Sequence, residues 1–268
     1  MHGIRWVLTL TALSGRRIGS SITRWIVVMS RSFKCLCMLL LGAFAPVVIA
    51  APAASDRAAE PLVFIIHGYA ATPADHWFGW LENALADRGI EARRIALPDS
   101  ATPEPRAWAE RLDQLTRDMQ RPVYFVAHSL GGIALLAALQ RRIDADPAGA
   151  HWAGLVLVSA FAEPLPALPQ LDAFVAAPVD FEAIHAAVDQ QQVISARDDP
   201  IVAFMHSMAL AERLQAPFLL EPTGGHFLGR DGYTRLPVVL TTVLNMIASQ
   251  ERTADTREPA SAQEHEVP

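Results

Sequence analysis

One stretch decides the fold of this chain: Pro122–Gly132, with the sequence PVYFVAHSLGG. Its apolar, β-branched and aromatic residues predict a buried strand, and the Ala- and Leu-rich run Ile133–Leu139 predicts a helix. A strand, a sharp turn at a serine and a helix are the context of a nucleophile elbow, here centred on Ser129. The pattern is Ala-x-Ser-x-Gly, with Ala127 in place of the usual glycine. The rest of the chain must therefore supply the other parts of a hydrolase.

Apolar runs alternate with amphipathic segments on both sides of this stretch. Strands are predicted at residues 62–66, 92–97, 122–128, 154–159, 192–196 and 217–220. Helices are predicted at about 75–88, 104–119, 133–142, 181–189, 202–214 and 236–249. This alternation predicts an α/β fold, with a mainly parallel sheet of about six strands and helices on both faces. Reactive side chains should then lie beyond the carboxyl ends of the strands.

The composition fits one globular domain with appendages. The chain has 268 residues, of which 51% are hydrophobic and 19% charged, and its net charge is −6. Six basic residues and no acid lie in residues 1–55, which leaves 16 basic and 28 acidic residues in 56–268. A domain with a net negative charge repels the phosphate backbone of nucleic acids, so nucleic acid is not an expected partner.

Both cysteines, Cys35 and Cys37, lie in the N-terminal apolar run. Beyond them we expect no disulfide, no metal framework and no cysteine nucleophile. The chain also has no glycine-rich phosphate loop, so no cofactor is expected.

Residues 1–50 are predicted to comprise an N-terminal extension and a signal peptide, and the pattern of a secretory signal lies at residues 31–53. Arg31 and Lys34 form a basic region, the apolar run Cys35–Ala50 follows, and the small residues around Ala50 offer a cleavage site. Because a signal peptide normally begins with its basic region, we hypothesise that Met29 is the true start. An exported, periplasmic or secreted protein is the first expectation. An uncleaved membrane anchor and a cytoplasmic protein are the alternatives.

Three further segments complete the predicted organisation. Residues 51–61 form a linker of small residues, and residues 62–249 form the hydrolase domain. The charged and polar residues 250–268 are predicted to be disordered. We expect no stable membrane insertion of the mature domain, and the sequence gives no indication of its oligomeric state.

Three residue types needed for acyl transfer follow predicted strands in the order Ser, acid, His. Ser129 is the predicted nucleophile and His226 the predicted general base. Two aspartates compete for the role of the acid. Pro200 favours an extended conformation for Asp199, which projects it from the strand end towards His226. Asp198 would then form the turn before the following helix or cap that helix.

Two backbone amides are predicted to bind the oxyanion that develops during acyl transfer. One is Leu130, the residue after the nucleophile, and the other is Tyr69, in the loop after the first strand. His67 and His128 are expected to have structural roles. Trp77 and Trp80 are candidates for the substrate pocket, with core packing as the alternative interpretation.

Several blocks of sequence resemble the small serine hydrolases of the YdeN/retinoblastoma-binding-protein-9-like family. They are FIIHG (64–68), DHWFGWL (75–81), LPD (97–99), AHSLGG (127–132), LVSA (157–160), SARDDP (195–200) and GHF (225–227). The resemblance covers residues 62–248. It implies an α/β-hydrolase core without a large cap domain, and a catalytic triad of Ser129, Asp199 and His226. It therefore supports Asp199 over Asp198.

The leading hypothesis is a metal-independent, carboxylesterase-like serine hydrolase that cleaves an ester or similar small acyl substrate through an acyl-enzyme on Ser129. Two alternatives remain: a non-catalytic binding or interaction protein on a hydrolase fold, and an acyltransferase that uses the same triad. The irregular segment 162–190 is expected to shape the pocket.

Overall fold

Six parallel strands form one sheet in the computed structural model, which describes residues 60–116 and 121–257. The strands are β1 (Leu62–Ile66), β2 (Glu91–Ile95), β3 (Val123–His128), β4 (Gly154–Val158), β5 (Gln191–Ala196) and β6 (Phe218–Glu221). Their order in the sheet is β2-β1-β3-β4-β5-β6, and every neighbouring pair is parallel. The predicted α/β fold with a six-stranded sheet is confirmed.

Helices cover both faces of this sheet. They are α1 (Phe78–Ala86), α2 (Pro105–Thr116), α3 (Leu130–Ala145), α4 (Asp172–Val175), α5 (Phe181–Ala187), α6 (Phe204–Arg213) and α7 (Pro237–Arg257). Two short 3₁₀ turns lie at Pro169–Leu171 and Gly229–Asp231. None of the helices in the described part of the chain is both long enough and apolar enough to cross a membrane.

The core has one apolar cluster on each face of the sheet. Alternate residues of a strand point to opposite faces, so Phe64 and Phe125 pack with α2 and α3, whereas Val63 and Ile65 pack with α1 and α7. This arrangement explains why the central strands are continuously apolar. It also determines towards which face of the sheet the side chain of each strand-end residue points.

The C-terminal helix is longer than predicted. It continues to Arg257, so the prediction of disorder is wrong for residues 250–257. These residues include Gln250, Glu251 and Arg252, which have high helix propensity, and they extend a helix that is already nucleated by its packed part. Residues 258–268, the predicted N-terminal extension and signal peptide at 1–50, and most of the linker lie outside the described residues.

The segment 162–190 contains only the short helices α4 and α5 and one 3₁₀ turn. It connects β4 to β5 and forms no large cap domain, as predicted. Its residues Ala167, Leu168 and Leu171 reach the carboxyl edge of the sheet, where they contribute to the site described next.

Candidate active site

Ser129 occupies a strained turn between β3 and α3. Its φ of 54° and ψ of −127° are a conformation that a residue with a side chain rarely adopts, at a cost of about 1–3 kcal/mol. The amide of Ser129 donates a hydrogen bond of 2.9 Å to the carbonyl oxygen of Val158 in β4. The paired strands and the helix thus hold the turn, and the serine side chain stands at the carboxyl edge of the sheet.

Two glycines allow the backbone to approach this turn closely. A Cβ atom at Gly131 would overlap the carbonyl oxygen of His67, and one at Gly68 would lie 2.9 Å from both His128 O and Ser129 Cβ. The loop after β1 and the first turn of α3 therefore touch through their backbones. Any larger residue at either glycine would push the loop away from Ser129.

Ser129, His226 and Asp199 form one hydrogen-bonded row. Nε2 of His226 lies 2.9 Å from Ser129 Oγ, and Nδ1 of His226 lies 2.8 Å from Asp199 Oδ2. An ionised carboxylate only accepts hydrogen bonds, so Nδ1 carries the hydrogen and Nε2 is left to accept one from the serine hydroxyl. The other carboxylate oxygen, Oδ1, accepts from the amides of Ile201 and Val202, each at 2.9 Å. Both oxygens of Asp199 are thus fixed in place.

Asp198 has a different role from the one predicted for it. Its Oδ1 accepts hydrogen bonds from the amides of Gly224 (2.8 Å) and Gly225 (2.9 Å), in the loop that carries His226. The prediction that Asp198 caps the next helix is wrong, because Asp199 binds the amides of that turn. The two neighbouring aspartates both position His226, one through its ring and the other through its loop.

The two predicted oxyanion amides lie on facing segments. Leu130 is the first residue of α3, and a Cβ atom at Gly68 would lie 3.4 Å from its nitrogen, so the loop that carries Tyr69 lies against it. Neither amide has a hydrogen-bond acceptor within residues 60–116 and 121–257. The side chain of Tyr69 lines the adjacent cavity. Both N–H groups are free to donate to a ligand.

His67 holds this loop in place. Its Nε2 accepts a hydrogen bond of 3.0 Å from the amide of Leu97, and its Nδ1 donates one of 3.0 Å to the carbonyl oxygen of Gly68. Burial lowers the pKa of His67, which keeps the ring neutral and able to accept from Leu97. His67 has the structural role predicted for it.

His128 contacts His226, the predicted base. This contact was not predicted from the sequence. Nε2 of His128 donates a hydrogen bond of 3.0 Å to the backbone oxygen of His226, and the two rings have centroids 4.8 Å apart. Burial lowers the pKa of His128 well below its usual value, so the ring is neutral. No local pattern indicates this contact, because its two partners lie 98 residues apart in the chain.

A cavity of about 330 Å³ opens above Ser129 and His226. One wall is apolar and includes Leu168, Leu171 and Ile201. The lining also has a polar wall, with His76 from the segment before α1 and Arg230 from the segment after His226. The cavity thus offers an apolar side and a hydrogen-bonding side around one hydroxyl.

Trp77 and Trp80 do not line this cavity, contrary to their predicted place in the substrate pocket. Helix α1 begins at Phe78, three residues later than predicted, so Trp77 precedes the helix and is fully buried in the apolar cluster that includes residues of α1 and α7. Trp80 packs partly buried against the same cluster. Core packing, the alternative interpretation, describes both residues.

Neither the cavity nor its surroundings resemble a metal site. Among the residues that the structure describes, no group of three or more His, Cys, Asp or Glu side chains is arranged to hold a metal ion. The carboxylate nearest to Ser129 in the hydrogen-bonded row, that of Asp199, has both oxygens occupied by donors from the protein.

Comparison with known proteins identifies the family of this chain. The family model for serine hydrolases matches residues 63–245. The chain belongs to the serine hydrolase family. It is 35% identical to YdeN of Bacillus subtilis (strain 168) over 190 residues, which cover 71% of this chain and 98% of that protein. The predicted resemblance to YdeN-like hydrolases is therefore confirmed, and the protein is a hydrolase of this family.

Solved structures agree with this assignment. The crystal structure of the ydeN gene product from B. subtilis matches with a TM-score of 0.66 and 34% identity, over 70% of this chain and 99% of that one. Est1E from Butyrivibrio proteoclasticus, solved with ferulic acid bound, matches with a TM-score of 0.55 at 14% identity, over 72% and 92% of the two chains. The second match shows a shared fold.

Proposed function

We propose that this serine hydrolase is a carboxylesterase-like enzyme that cleaves small esters through an acyl-enzyme on Ser129. The observation that carries the proposal is the row from Ser129 Oγ through His226 to Asp199, with hydrogen bonds of 2.9 and 2.8 Å. A hydroxyl that donates to a neutral imidazole at this distance can transfer its proton as it attacks a carbonyl carbon. The row lies at the base of a cavity open to a ligand.

The first half of the reaction forms the acyl-enzyme. Ser129 Oγ attacks the ester carbon while its proton passes to Nε2 of His226, and the carboxylate of Asp199 stabilises the imidazolium that results. The bond between the carbonyl carbon and the leaving oxygen then breaks. His226 gives the proton to that oxygen, and an alcohol departs.

The second half uses water in place of the serine. His226 takes a proton from a water molecule, whose oxygen attacks the acyl carbon. The bond from that carbon to Ser129 Oγ breaks, Ser129 recovers its proton from His226, and a carboxylic acid is released. Each half passes through an oxyanion, and the amides of Leu130 and Tyr69 supply the donors that would stabilise it.

Asp198 supports this mechanism without contacting the reacting atoms. Its two hydrogen bonds to the amides of Gly224 and Gly225 fix the loop that carries the base. A fixed loop keeps Nε2 of His226 within reach of Ser129 throughout the proton transfers. The apolar wall with Leu168 and Leu171 is suited to an acyl chain, and the cavity volume favours a short one.

Active-site labelling tests the proposal directly. A fluorophosphonate probe should modify Ser129, and Ser129→Ala should abolish labelling and lower kcat/KM for 4-nitrophenyl butyrate by about 10³-fold or more. Ser159→Ala is the matched control, because Ser159 is also a buried serine with positive φ at a strand end. It lies outside the cavity lining, so labelling and turnover should persist. Unlabelled Ser129 together with unchanged turnover in Ser129→Ala would refute the proposal.

A further inference from the structure

The polar wall of the cavity contains a cation that has no ionic partner within residues 60–116 and 121–257. Arg230 lines the cavity from the short turn Gly229–Asp231 and is exposed. It makes no salt bridge or hydrogen bond to any residue that the structure describes. No Asp or Glu side chain lines the cavity. Asp199 contacts Nδ1 of His226 and is not part of the cavity lining. The guanidinium is therefore available to an anionic group of a ligand.

His76 adds a second donor to the same wall. Its Nδ1 accepts a hydrogen bond of 3.0 Å from the amide of Gly229, which joins it to the turn that carries Arg230. Burial lowers the pKa of His76, so the ring is neutral and its hydrogen is on Nε2. This Nε2–H has no acceptor within the described residues, and His76 lines the cavity.

The position of the base indicates which half of an ester would meet this wall. His226 must give its proton to the leaving oxygen, so the leaving group lies against the segment that carries His226. Arg230 is on that same segment, four residues after His226. The acyl half would lie towards the apolar wall with Leu168 and Leu171.

We propose that the preferred substrates are esters whose alcohol half carries a carboxylate or another anionic group, which Arg230 and His76 bind. The inference rests on the proposed esterase function and specifies its substrate class. In such a reaction the ester bond breaks as described above, His226 protonates the leaving oxygen, and the alcohol departs with its anionic group unchanged. Arg230 binds the substrate but takes no part in the proton transfers.

A pair of matched esters tests this preference in the full-length protein. The anionic substrate is 4-acetoxybenzoate, and its neutral counterpart is methyl 4-acetoxybenzoate. Because the two differ in intrinsic reactivity, the quantity compared between proteins is the ratio of their kcat/KM values. Arg230→Gln should lower this ratio about threefold to tenfold, mainly through KM for the anionic ester. Sodium chloride at about 0.5 M should lower the ratio of the wild type by a similar factor.

Arg235→Gln is the control, because Arg235 is an exposed arginine of the same loop region outside the cavity lining. It should leave the ratio within about twofold of the wild type, since exposed charges contribute little at a distance. An equal loss for both esters in Arg230→Gln would overturn the inference, because Arg230 would then serve the structure of the loop.

A second pair of esters tests where the charge is bound. Mono-4-nitrophenyl succinate carries its carboxylate in the acyl half, and 4-nitrophenyl butyrate is its neutral counterpart. A preference for the succinate that Arg230→Gln abolishes would overturn the placement at the leaving group. Turnover of the neutral esters with a ratio that Arg230→Gln does not change would overturn this inference alone. No turnover of any ester, with Ser129 unlabelled, would overturn the proposed function as well.

Discussion

At the base of the cavity, every polar side-chain atom of Ser129, Asp199 and His226 has a hydrogen-bond partner. At the polar wall of the cavity, the Arg230 guanidinium and Nε2 of His76 have no hydrogen-bond partner in the described part of the chain. Ser129, Asp199 and His226 are also buried, whereas Arg230 is exposed. Groups that are fixed before a substrate arrives suit the chemical step, because no reorganisation is needed during it. Groups without protein partners suit recognition, because a ligand can satisfy them.

Asp199→Asn should have the largest effect on the base of the cavity. An amide nitrogen in place of Oδ2 would favour a hydrogen on Nε2 of His226, which could then no longer accept the proton of Ser129. We expect kcat to fall by about 10³- to 10⁴-fold with little change in KM, measured by steady-state turnover of 4-nitrophenyl butyrate.

Asp198→Asn is the matched variant at the neighbouring position. It keeps an oxygen for the amides of Gly224 and Gly225, so its loss of kcat should stay below about tenfold. If Asp198→Asn were as damaging as Asp199→Asn, the assignment of the two carboxylates would be wrong.

His128→Phe should have the next largest effect. The phenyl ring fills the space of the imidazole but cannot donate to the backbone oxygen of His226. We expect kcat to fall about tenfold to a hundredfold because the base is less well held, with KM nearly unchanged. His128→Gln retains an N–H donor and should recover part of the loss. Equal kcat values for the two variants would contradict a positioning role.

Stability should depend on pH through the buried histidines. His67 and His128 remain neutral in the folded protein, because burial lowers the pKa of each, whereas in the unfolded chain both have the ordinary histidine pKa of about 6.5. Their contribution is therefore present above pH 6.5 and is lost as the pH falls below it. The free energy of unfolding should decrease by up to about 1.4 kcal/mol per pH unit for each residue.

Urea unfolding at about pH 7.5, 6.5 and 5.5 measures this dependence. His128→Phe should show a shallower decrease than the wild type, because the variant lacks one buried histidine that takes up a proton in the unfolded state. A variant with the same slope as the wild type would show that other groups cause the dependence.

Leu168→Ala, in the apolar wall of the cavity, should have the smallest effect. Leu168 is half-buried and lines the cavity, so its truncation widens the acyl side at a modest cost in stability. The kcat/KM ratio of 4-nitrophenyl octanoate to butyrate should rise about twofold to fivefold. Leu244→Ala is the control, because Leu244 is a half-buried leucine of α7 outside the cavity lining, and it should leave the ratio unchanged.

The features that could be predicted from the sequence are those that depend on local patterns. Apolar runs identified the strands, and because all strands are parallel, the residues after them had to meet at one edge of the sheet. Ser129, Asp199 and His226 were therefore expected together, and the structure brings their side chains into one row. This part of the prediction needed only local patterns and the rule for parallel sheets.

The missed features depend on contacts between distant parts of the chain. The bond from His128 to the backbone of His226 spans 98 residues, and the bonds from Asp198 to Gly224 and Gly225 span 26 and 27. No local pattern specifies such partners. Trp77 was misplaced for a related reason: the helix begins after it, and the face that it covers depends on α7, far along the chain.

The two oxygens of Asp199 serve different selective pressures. Oδ1 accepts from the amides that lead into α6, a contact that holds this turn whether or not the chain is catalytic, whereas only Oδ2 contacts His226. A relative that lost its nucleophile would therefore still be selected to retain an aspartate here, while the position of His226 would be free to drift. Among inactive descendants of such enzymes, the acid should be the last of the three residues to disappear.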